Sequence, residues 1–421
     1  MIEITKAIEI VKRETGVLVS KSVDLNNAVG RVLAESIVAD TDLPPFDRSQ
    51  MDGFAVVAAD TKNAPVTLTI LGESAAGKGW HHTIKHGEAV RIMTGAPVPV
   101  GADAVQKVEL TTGGALLRSS EADVAGEAIE AVNILEPVKK GTAIVKKGAE
   151  VEEGSKVFLK GEVVTENMIA AIASFGYAMV KVFKRPRVGI LATGSEIVDV
   201  TKKPGRDQIR NSNSLMLKAL ATRSGAAVVE LYPIVGDSLK DLKAQISQAV
   251  GLDKSAIRNP QSEILIITGG VSVGKYDLTK LALAELGAEV FFERVRLKPG
   301  KPTVFARLNK TLIFGLPGNP VSAAVTFYLF VRMAILQMQG STDTQLRKGF
   351  AVLGNDVKAA KDRDTYLPSR LETNESGQLI AQSLKWLGSS DFIGFARADS
   401  LIFVPAGKSY KMGEVVEINY L

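Results

Sequence analysis

The segment Ile264–Asp277 reads ILIITGGVSVGKYD, and it decides the fold class. Its first part, Ile264–Thr268, is a short apolar run typical of a strand that is buried on both faces of a sheet. Gly269 and Gly270 follow at once, and Asp277 can cap a helix that ends at Gly287. A buried strand, a glycine-rich loop and a helix in this order predict a parallel sheet that is covered by helices.

The same unit recurs on both sides of that segment. Helices are predicted to begin at Ser212 and at Asp237-Ser238, and Asn319-Pro320 supplies a cap and a first-turn proline for another. Further buried-type strands are predicted at Val188–Ala192, Ala227–Leu231 and Thr311–Leu316. We therefore expect a doubly wound, parallel-sheet α/β domain over residues 184–339.

The rest of the chain changes its pattern twice. Residues 1–45 look helical, and residues 46–140 alternate short β-type runs with glycine turns. Residues 141–183 contain a helix that begins after Thr165 and ends at Gly176. We expect 1–45 and 141–183 to form a discontinuous N-terminal α/β domain that carries 46–140 as an inserted β module. Residues 340–421 predict a C-terminal β-barrel-like domain.

The composition of the 421 residues is ordinary for a soluble globular protein, with 46% hydrophobic and 23% charged residues. The net charge of +5 does not imply nucleic acid, but it suits an acidic small ligand. The absence of cysteine excludes disulfides, thiolate metal sites and cysteine nucleophiles. The N-terminus lacks a signal-peptide pattern, and the most apolar stretch, Val321–Leu336, is too short to span a bilayer. We predict a cytoplasmic protein without a membrane segment.

Four loops fall at or near the carboxyl ends of the predicted strands, where ligands bind in open α/β sheets. Their glycines allow a close backbone approach, and helix N-termini after two of them favour an anion. The four loops are Thr193–Glu196, Gly269–Asp277, Lys298–Pro302 and Leu316–Pro320. Any one of them could be only a tight turn, but together they predict a site for an anionic, phosphate-bearing small ligand.

Charged side chains in and near these loops suit such a ligand. Lys298 and Lys301 supply positive charge, while Glu196, Asp237 and Asp277 could hold a divalent cation that bridges to phosphates. The remaining candidate binding residues of the loops are Thr193, Gly194, Gly269, Gly270, Ser272, Gly274, Pro299, Gly300, Pro317 and Gly318.

Two other enzyme classes fit less well. Gly269, Gly274 and Lys275 match a Walker A motif, but Tyr276 stands where the motif needs Ser or Thr for Mg²⁺, and no strand ends in a Walker B acid. The three histidines lie in one glycine-flanked stretch, residues 81–86. A distributed Ser-His-Asp triad is therefore excluded, and a solvated loop is favoured over a metal site.

The β module contains two more dense motifs. SQMDGF, residues 49–54, places Asp52 in a turn, and MTGAPVP, residues 93–99, places Thr94 in a stiff loop. From the residues alone, structural roles in turns are favoured for both motifs.

Taken in order, SQMDGF, MTGAPVP, TGSEI, ITGGVSVGKYD, KPGKP and LPGNPVSA resemble the molybdopterin molybdenumtransferase family, which includes bacterial MoeA and the E domain of gephyrin. These motifs extend from residue 49 to residue 323, and with their flanks the resemblance covers essentially the whole chain. It implies an elongated four-domain subunit that forms a homodimer. It also implies an enzyme that inserts molybdate into adenylated molybdopterin with Mg²⁺ and releases AMP, with the molybdopterin adenylyltransferase as a candidate partner.

The resemblance also assigns roles to residues at the matching positions. Asp52, Asp237, Lys298 and Lys301 would be catalytic, Thr94 would bind substrate, and Pro317 with Gly318 would shape the wall of the site. Glu196, Asp237 and Asp277 would be the metal ligands. Arg370 and Ser389 of the C-terminal domain would meet the α/β domain of the partner subunit.

The chain departs from the family pattern at several acids. Ser195 stands where TGDEL has aspartate, Asn211 replaces the aspartate of a Y-D-S-N segment, and Lys275 replaces an acidic residue. Residues 147–150 read KGAE where the family typically has R-G-E-D, so Glu150 stands in place of the family's aspartate. Two alternatives remain open: a molybdopterin adenylyltransferase, which the extra domains argue against, and a gephyrin-like scaffold, which lacks support from a second α/β domain or a long linker.

Overall fold

The computed structural model describes residues 1–113, 130–252, 262–270, 278–384 and 388–421. The chain forms two compact units. The larger unit comprises Met1–Glu35, Lys160–Ile169 and Ala178–Leu421, and the smaller unit comprises Ser36–Leu159 and Ala170–Tyr177. The smaller unit thus interrupts the larger one in sequence, whereas the four domain boundaries predicted above remain a prediction.

The described residues of the larger unit contain a six-stranded sheet that confirms the predicted α/β domain. The strand order is Val228–Leu231, Arg187–Ala192, Ile264–Thr268, Thr311–Leu316, Val304–Leu308 and Glu289–Phe292. The helices are Ser212–Arg223, Leu239–Ala249, Leu278–Glu285 and the apolar segment Pro320–Met338. Strands and helices lie within a residue or two of the predicted positions, because each strand is a short buried apolar run.

Two hydrophobic cores cover the two faces of this sheet, as a doubly wound fold requires. On one face Ile190 and Ile266 pack with Leu217 of the helix Ser212–Arg223. On the other face Leu191 and Ile267 pack in a core that includes residues of Leu239–Ala249 and Leu278–Glu285. Adjacent strand residues therefore serve opposite cores, which explains the continuous apolar runs.

One strand differs from the predicted all-parallel sheet. Val304–Leu308 runs antiparallel to Thr311–Leu316, with Val304 opposite Gly315. The two strands are joined by the turn at Asn309, whose φ of 55° is left-handed, so a hairpin replaces a crossover helix. The sequence does not mark this strand, because Val304–Leu308 follows no helix of its own.

The N-terminal segment corrects a second prediction. Residues 1–45 were expected to be mainly helical, but their one α-helix is Ile4–Glu14. Ser20–Asp24 is instead a strand that pairs antiparallel with Met179–Phe183. This pairing brings residues far apart in sequence together, and tertiary pairing of this kind overrides local helical preference. A single 3₁₀ turn at Leu25–Asn27 is the remaining helical element there.

The C-terminal part is a closed barrel, in agreement with the prediction. Its strands pair in a ring in the order Asp364–Thr373, Leu379–Ser383, Lys348–Leu353, Val415–Tyr420 and Ser400–Val404, and the last strand pairs back to the first. An additional two-residue strand, Leu297–Lys298, from the loop of the α/β domain pairs in parallel with Asp364–Thr365. Smaller elements are the strand pair Val357–Lys358 with Ser409–Tyr410 and the short helix Phe392–Phe395.

The smaller unit is built around a six-stranded β sheet of its described residues, as the β-module prediction requires. The order is Ala104–Lys107, Gly53–Val56, Glu88–Ile92, Val66–Ser74, Ala131–Ile134 and Thr111–Thr112. Short strand pairs join Arg48–Ser49 to Ile144–Val145 and Ile37–Val38 to Lys156–Phe158. Phe54, Leu68 and Ile134 are in its hydrophobic core.

The apolar stretch near the end of the α/β domain is longer than the sequence analysis assumed. The helical segment Pro320–Met338 has 19 residues and is long and apolar enough to cross a membrane, so the prediction that it is too short was wrong. However, 78% of its most apolar window is buried inside the protein, as expected for a core helix. A π-helical turn at Phe327–Val331 lies in its middle.

Candidate functional site

A cavity of about 870 Å³ lies at the carboxyl ends of the central strands of the α/β sheet. Thr193 and Gly269, which directly follow two neighbouring strands, both line it. Glu196 and Gly318 line it too, so members of three predicted loops meet here. Phe392 of the C-terminal part contributes an apolar side chain. The volume and the mixed lining are those of a small-molecule site.

The double glycine at this edge is required by close packing. Gly269 has a left-handed φ of 90°, and a Cβ there would lie 2.3 Å from the carbonyl oxygen of Thr193. At Gly270 a Cβ would lie 2.7 Å from Thr193 Oγ1 and 3.0 Å from Thr279 Oγ1. Only glycine permits this backbone approach. The predicted binding residues Thr193, Gly269 and Gly270 therefore lie together.

Three buried polar atoms around the double glycine have no hydrogen-bond partner among the residues that the structure describes: Thr193 Oγ1, Thr279 Oγ1 and Asn213 Oδ1. Their residues are 6%, 0% and 9% exposed. An unpaired buried polar group costs about 1–3 kcal/mol, so such groups are usually completed by water or a ligand. Two hydroxyls and one amide oxygen offer both donors and acceptors to a polar ligand.

Asn213 is a site residue that the sequence analysis did not identify. Its Nδ2 donates to Thr268 Oγ1 at 3.0 Å and to the carbonyl oxygen of Gly318 at 2.7 Å. It therefore links the end of one strand to the loop after another. The available signal was its position: it lies in the first turn of a helix that was predicted to begin beside the strand ends.

Asn211 stands at one of the departures noted above, and the structure gives it a local role. Its side chain accepts a hydrogen bond from the backbone N–H of Ser214 at 3.1 Å and caps the helix Ser212–Arg223. Asparagine is as good an N-cap as aspartate, so the helix start does not depend on the acid.

The predicted metal ligands are only partly gathered in the described residues. Asp237 is exposed and accepts a hydrogen bond from Ser195 Oγ at 2.6 Å, and Glu196 is the next residue along that loop. The carboxylate of Glu196 folds over Gly194, where a Cβ would lie 2.5 Å from Glu196 Oε2. No group of three or more His, Asp or Glu side chains that could hold a metal is found in the described part of the chain. Two carboxylates on this loop system suit a hard cation, but the described residues alone do not complete its ligand set.

Several predicted site residues lie outside the described residues. These are Ser272, Gly274 and Asp277, which follow the strand Ile264–Thr268 in the sequence.

The two predicted lysines do not line the 870 Å³ cavity. Lys298 is exposed on the strand that pairs with Asp364–Thr365 of the barrel. Lys301 is half-buried near Asp362. The hydrogen bond from Arg363 is the main reason that the pKa of the Asp362 carboxyl is lowered, and the positive charge of Lys301 adds a smaller effect. The expected convergence of these lysines with the glycine loops is therefore not seen, because their loop is held by the barrel.

Pro299 and Gly300 are the buried part of that lysine loop. Gly300 has a φ of 117°, and a Cβ there would lie 2.4 Å from Thr326 Cγ2. The backbone of the loop thus packs directly against the helix Pro320–Thr326 at Gly300. Lys298 precedes this contact in the sequence, and Lys301 follows it. Pro317 is buried and Gly318 is exposed at the start of the same helix segment.

In the smaller unit, Asp52 and Thr94 form a hydrogen-bonded pair. Asp52 Oδ1 accepts from the backbone N–H of Thr94 at 2.7 Å and from its Oγ1 at 2.8 Å. The backbone donor first and the hydroxyl second lower the pKa of the Asp52 carboxyl. The register explains the pairing, since Gly53 lies opposite Ile92 in neighbouring strands. Gly53 itself is required, as a Cβ would lie 2.0 Å from the carbonyl oxygen of Gln106.

The two C-terminal candidates make different contacts. Arg370 is exposed on a barrel strand, and its Nε lies 3.5 Å from Glu372 Oε1. Ser389 contacts the α/β domain of its own chain: its Oγ accepts from Asn319 Nδ2 at 2.7 Å, and its carbonyl oxygen accepts from the N–H of Val321 at 3.1 Å. Asn319 therefore does not cap its helix with its side chain, contrary to the sequence prediction.

The whole chain matches known proteins segment by segment. Residues 2–176 match the MoeA N-terminal region (domain I and II), residues 189–337 the probable molybdopterin binding domain, and residues 351–421 the MoeA C-terminal region (domain IV). The molybdopterin molybdenumtransferase of Staphylococcus aureus (strain COL) is 32% identical over 99% of this chain and 95% of its own length. The chain belongs to the molybdopterin molybdenumtransferase family.

Other members of the molybdopterin molybdenumtransferase family agree. The enzyme of that name from Bacillus subtilis is 35% identical over 94% of this chain and 88% of its own length. The molybdopterin biosynthesis MoeA protein from Pyrococcus horikoshii OT3 superposes with a TM-score of 0.80 at 28% identity, with both chains covered completely. The family resemblance and the multi-domain α/β and β architecture predicted from the sequence are thus confirmed.

Proposed function

We propose that the chain is a molybdopterin molybdenumtransferase that inserts molybdate into adenylated molybdopterin and releases AMP. The observation that carries the proposal is the strand-end cavity, where unpartnered polar atoms of Thr193, Asn213 and Thr279 surround a double glycine. A pyrophosphate-bearing ligand needs closely approached backbone and hydroxyl donors of this kind. The sulfur donors to molybdenum belong to the pterin, so a chain without cysteine can catalyse the reaction.

Asp52 would act in this reaction as a carboxylate. Because the two Thr94 donors lower its pKa below the ordinary value of 3.8, it stays ionised through the neutral range. The two hydrogen bonds from Thr94 hold Oδ1 in place. The other carboxylate oxygen, Oδ2, would then accept a hydrogen bond from an N–H or O–H group of the substrate. Lys298 and Lys301 would supply positive charge toward molybdate or phosphate.

We further propose Mg²⁺ as the cofactor. Glu196 and Asp237 would provide carboxylate ligands together with Asp277, as oxygen donors suit this cation. When bound, Mg²⁺ would neutralise charge on the phosphoanhydride. Ser195 would orient Asp237 through the hydrogen bond of 2.6 Å. Binding of Mn²⁺ as a spectroscopic substitute, measured by electron paramagnetic resonance, tests the ligand set without turnover; undiminished binding after Asp237→Asn would contradict it.

The activity is tested by mixing the purified chain with adenylated molybdopterin, Mg²⁺ and molybdate while AMP release and active cofactor are followed. We expect AMP to appear only when molybdate is present. AMP that appears equally without molybdate, or not at all, rules out the proposed reaction. A molybdopterin adenylyltransferase would instead consume ATP, and a scaffold would show neither reaction.

Site placement is tested separately with Lys298→Ala and Asp237→Ala. Both variants should lose turnover by two orders of magnitude or more while their circular dichroism and thermal unfolding stay near those of the parent, since both side chains are exposed. Lys240→Ala, an exposed lysine on the helix Leu239–Ala249, is the matched control and should keep full turnover. Near-normal turnover in both site variants would show that the residues are misplaced.

The remaining expectations concern assembly. We propose a cytoplasmic homodimer that can receive its substrate from a molybdopterin adenylyltransferase, with Arg370 completing the site of the partner subunit. Ser389 would act within its own chain, where it contacts Asn319. Light scattering after size exclusion should give twice the mass of 44.8 kDa; a monomer that is fully active would remove the shared-site proposal.

A further inference from the structure

The wall of the strand-end cavity contains one charged side chain of each sign. Among the described residues that line it, Glu196 is the one acid and Arg210 is the one base. Lys298 and Lys301, the cations that the sequence analysis identified, do not line it. Arg210 is therefore the positive charge that an anionic ligand in this cavity would meet, and the sequence analysis did not identify it.

Arg210 is placed at the cavity by a short two-stranded ribbon, in which Ile197–Val198 pairs in parallel with Ile209–Arg210. The residues on either side of the arginine, Ile209 and Asn211, each donate an N–H at 2.8 Å to a carbonyl oxygen of the facing segment. The backbone that carries the guanidinium is thus held by hydrogen bonds before a ligand binds, which lowers the ordering cost of binding.

The guanidinium of Arg210 has donors left for a ligand. Its Nε donates to the carbonyl oxygen of Lys202 at 3.0 Å, which is a neutral acceptor. In the described parts of the chain neither terminal nitrogen, Nη1 or Nη2, has a hydrogen-bond partner or a carboxylate. The two terminal nitrogens lie in one plane and match two oxygens of a phosphate group.

The same cavity contains buried polar atoms that a ligand can complete. Thr193 and Asn213 both line it, and their Oγ1 and Oδ1 atoms are without a partner among the described residues. Asn213 lies in the first turn of Ser212–Arg223, the helix that begins two residues after Arg210. A hydroxyl, a helix N-terminus and a guanidinium around one cavity are donors to phosphate, while Asn213 Oδ1 accepts from an N–H or O–H group of the same ligand.

The departures from the family pattern change the charge of these loops in one direction. With Asn211 at the aspartate of the Y-D-S-N segment, Ser212 and Asn213 match its last two residues, and Arg210 stands at the tyrosine. Ser195 and Asn211 are neutral where the pattern has acids, and Arg210 is a cation where it has a neutral ring. The site thus has fewer carboxylates for a metal and one more cation for a phosphate.

The candidate metal ligands show the other side of this exchange. Ser195, one of the neutral replacements, donates to Asp237 Oδ2 at 2.6 Å, so a hydroxyl lies where the pattern would bring a second carboxylate. Within the described ranges no three His, Asp or Glu side chains form a group that could hold a metal. Phosphate charge in this cavity is therefore met by the chain's own donors more than by a carboxylate-bound cation.

We propose that Arg210 is a substrate-binding residue whose guanidinium holds the phosphoanhydride of the ligand, so that binding depends little on a divalent cation. This inference rests on the transferase function proposed above, because that function supplies a ligand with a phosphoanhydride. Mg²⁺ keeps the role in the reaction proposed above, whereas binding of the ligand is carried by Arg210. Because Arg210 is exposed, solvent and salt weaken its contact, and the expected effect is moderate.

The test is isothermal titration calorimetry of the full chain with ADP, in Mg²⁺ and separately in EDTA. ADP joins adenosine to a phosphoanhydride, and adenosine alone is the probe without phosphate. The informative variants are Arg210→Gln, which removes the charge, and Arg210→Lys, which keeps the charge but loses the planar fork. Arg206→Gln, an exposed arginine between the two ribbon strands that does not line the cavity, is the matched control.

We expect the parent and the control to bind ADP about equally well in Mg²⁺ and in EDTA, within roughly threefold. In EDTA, Arg210→Gln should bind ADP about tenfold more weakly than the parent, and Arg210→Lys should fall between them. All four proteins should bind adenosine equally, because adenosine offers no phosphate to the guanidinium.

Three results would overturn the proposal. The first is equal ADP affinity of Arg210→Gln and the parent in EDTA, and the second is a parent that binds ADP only in Mg²⁺. The third is a loss of adenosine affinity in Arg210→Gln as large as its loss of ADP affinity, because the side chain would then shape the cavity without binding phosphate.

The transferase function is tested separately by molybdate-dependent release of AMP from the parent. If AMP is released as expected and Arg210→Gln binds ADP as the parent does, the role of Arg210 is wrong and the function stands. If ADP binding depends on Arg210 and the parent releases no AMP, the function is wrong and Arg210 remains a phosphate-binding residue of the cavity.

Discussion

The polar cluster of the smaller unit and the polar cluster at the sheet edge differ in how their hydrogen bonds are completed. Asp52 and Thr94 satisfy each other through two short bonds. At the sheet edge, Thr193 Oγ1 and Thr279 Oγ1 are buried and have no hydrogen-bond partner within the described parts of the chain. The first cluster is therefore organised before any ligand arrives, whereas the described residues leave the second with unpaired hydroxyls that a ligand can use. Changes at the two clusters should have different signatures: an altered titration at the first, and altered ligand affinity and stability at the second.

The largest effect is expected from Gly269→Ala at the sheet edge. A methyl group would lie 2.3 Å from the Thr193 carbonyl oxygen, and φ of 90° is unfavourable for alanine. We expect unfolding to be easier by several kcal/mol, because backbone displacement adds to the roughly 1–3 kcal/mol of a strained φ, and turnover to fall by at least two orders of magnitude. Thermal unfolding and AMP release measure these effects.

Gly287→Ala is the matched control for that change. Gly287 also has a left-handed φ, of 75°, but nothing lies within 4 Å of its would-be Cβ. It should cost only the conformational strain and leave turnover unchanged. If both variants behave alike, close packing is not the reason for the glycine at 269.

An intermediate effect is expected from Asn213→Ala, which removes the link between Thr268 and Gly318. Two hydrogen bonds within the protein are lost, each worth about 0.5–1.5 kcal/mol of stability. The unpaired Oδ1 is lost with them, and the loss of this one polar contact should lower the affinity for adenylated molybdopterin roughly tenfold. Equilibrium dialysis with the labelled substrate measures the loss. Asn133→Ala, which removes a hydrogen bond to Thr112 in the smaller unit, is the control and should leave affinity unchanged.

The smallest effect is expected from Thr94→Val, which keeps the backbone donor to Asp52 but removes the hydroxyl donor. The pKa of Asp52 should rise toward its ordinary value of 3.8 without reaching it. A lowered folded pKa contributes stability that is present above the ordinary pKa and is lost as the pH falls through the folded pKa. The variant should therefore be slightly less stable than the parent at neutral pH, and the difference should shrink as the pH falls below about 4, because the carboxyl then becomes protonated in both proteins.

Carbon NMR of the Asp52 carboxyl measures this shift directly. Thr111→Val, which removes a hydroxyl that donates to the carbonyl oxygen of Val108, serves as the control and should leave the Asp52 titration in place. An unmoved Asp52 pKa in Thr94→Val would show that the backbone donor alone holds the carboxylate.

The α/β domain could be predicted because its strands are short apolar runs bounded by glycine and by helix caps. Ile264–Thr268 and Thr311–Leu316 begin and end where the sequence indicates. Ser20–Asp24 could not be predicted, since its partner Met179–Phe183 is far away in the sequence and nothing local marks the pairing. The hairpin strand Val304–Leu308 was missed for a different reason: its partner Thr311–Leu316 is the next strand in the chain, but no helix precedes Val304 to mark a strand–helix unit.

The candidate site was predictable to a similar, limited degree. Glycine loops at strand ends indicated Thr193 and Gly269 correctly as neighbours in one cavity, because the carboxyl ends of parallel strands meet at one edge. The position of Lys298 was not predictable from that rule, as its backbone pairs with the barrel instead. Asn213 was missed because a helix-start asparagine reads as a cap, and only the structure reveals its contacts with Thr268 and Gly318.

The two-residue strand Leu297–Lys298 has a mechanical consequence. Its backbone is hydrogen-bonded to Asp364–Thr365, so the barrel carries Lys298, while Gly300 presses against the helix at Thr326 three residues after the strand begins. The loop is thus held at two points, by the barrel strand at Leu297–Lys298 and by the helix of the α/β domain at Gly300. A movement of the barrel relative to the α/β domain would therefore move the ammonium group of Lys298. Through this contact the C-terminal domain would influence the rate of the reaction without contacting the reacting atoms.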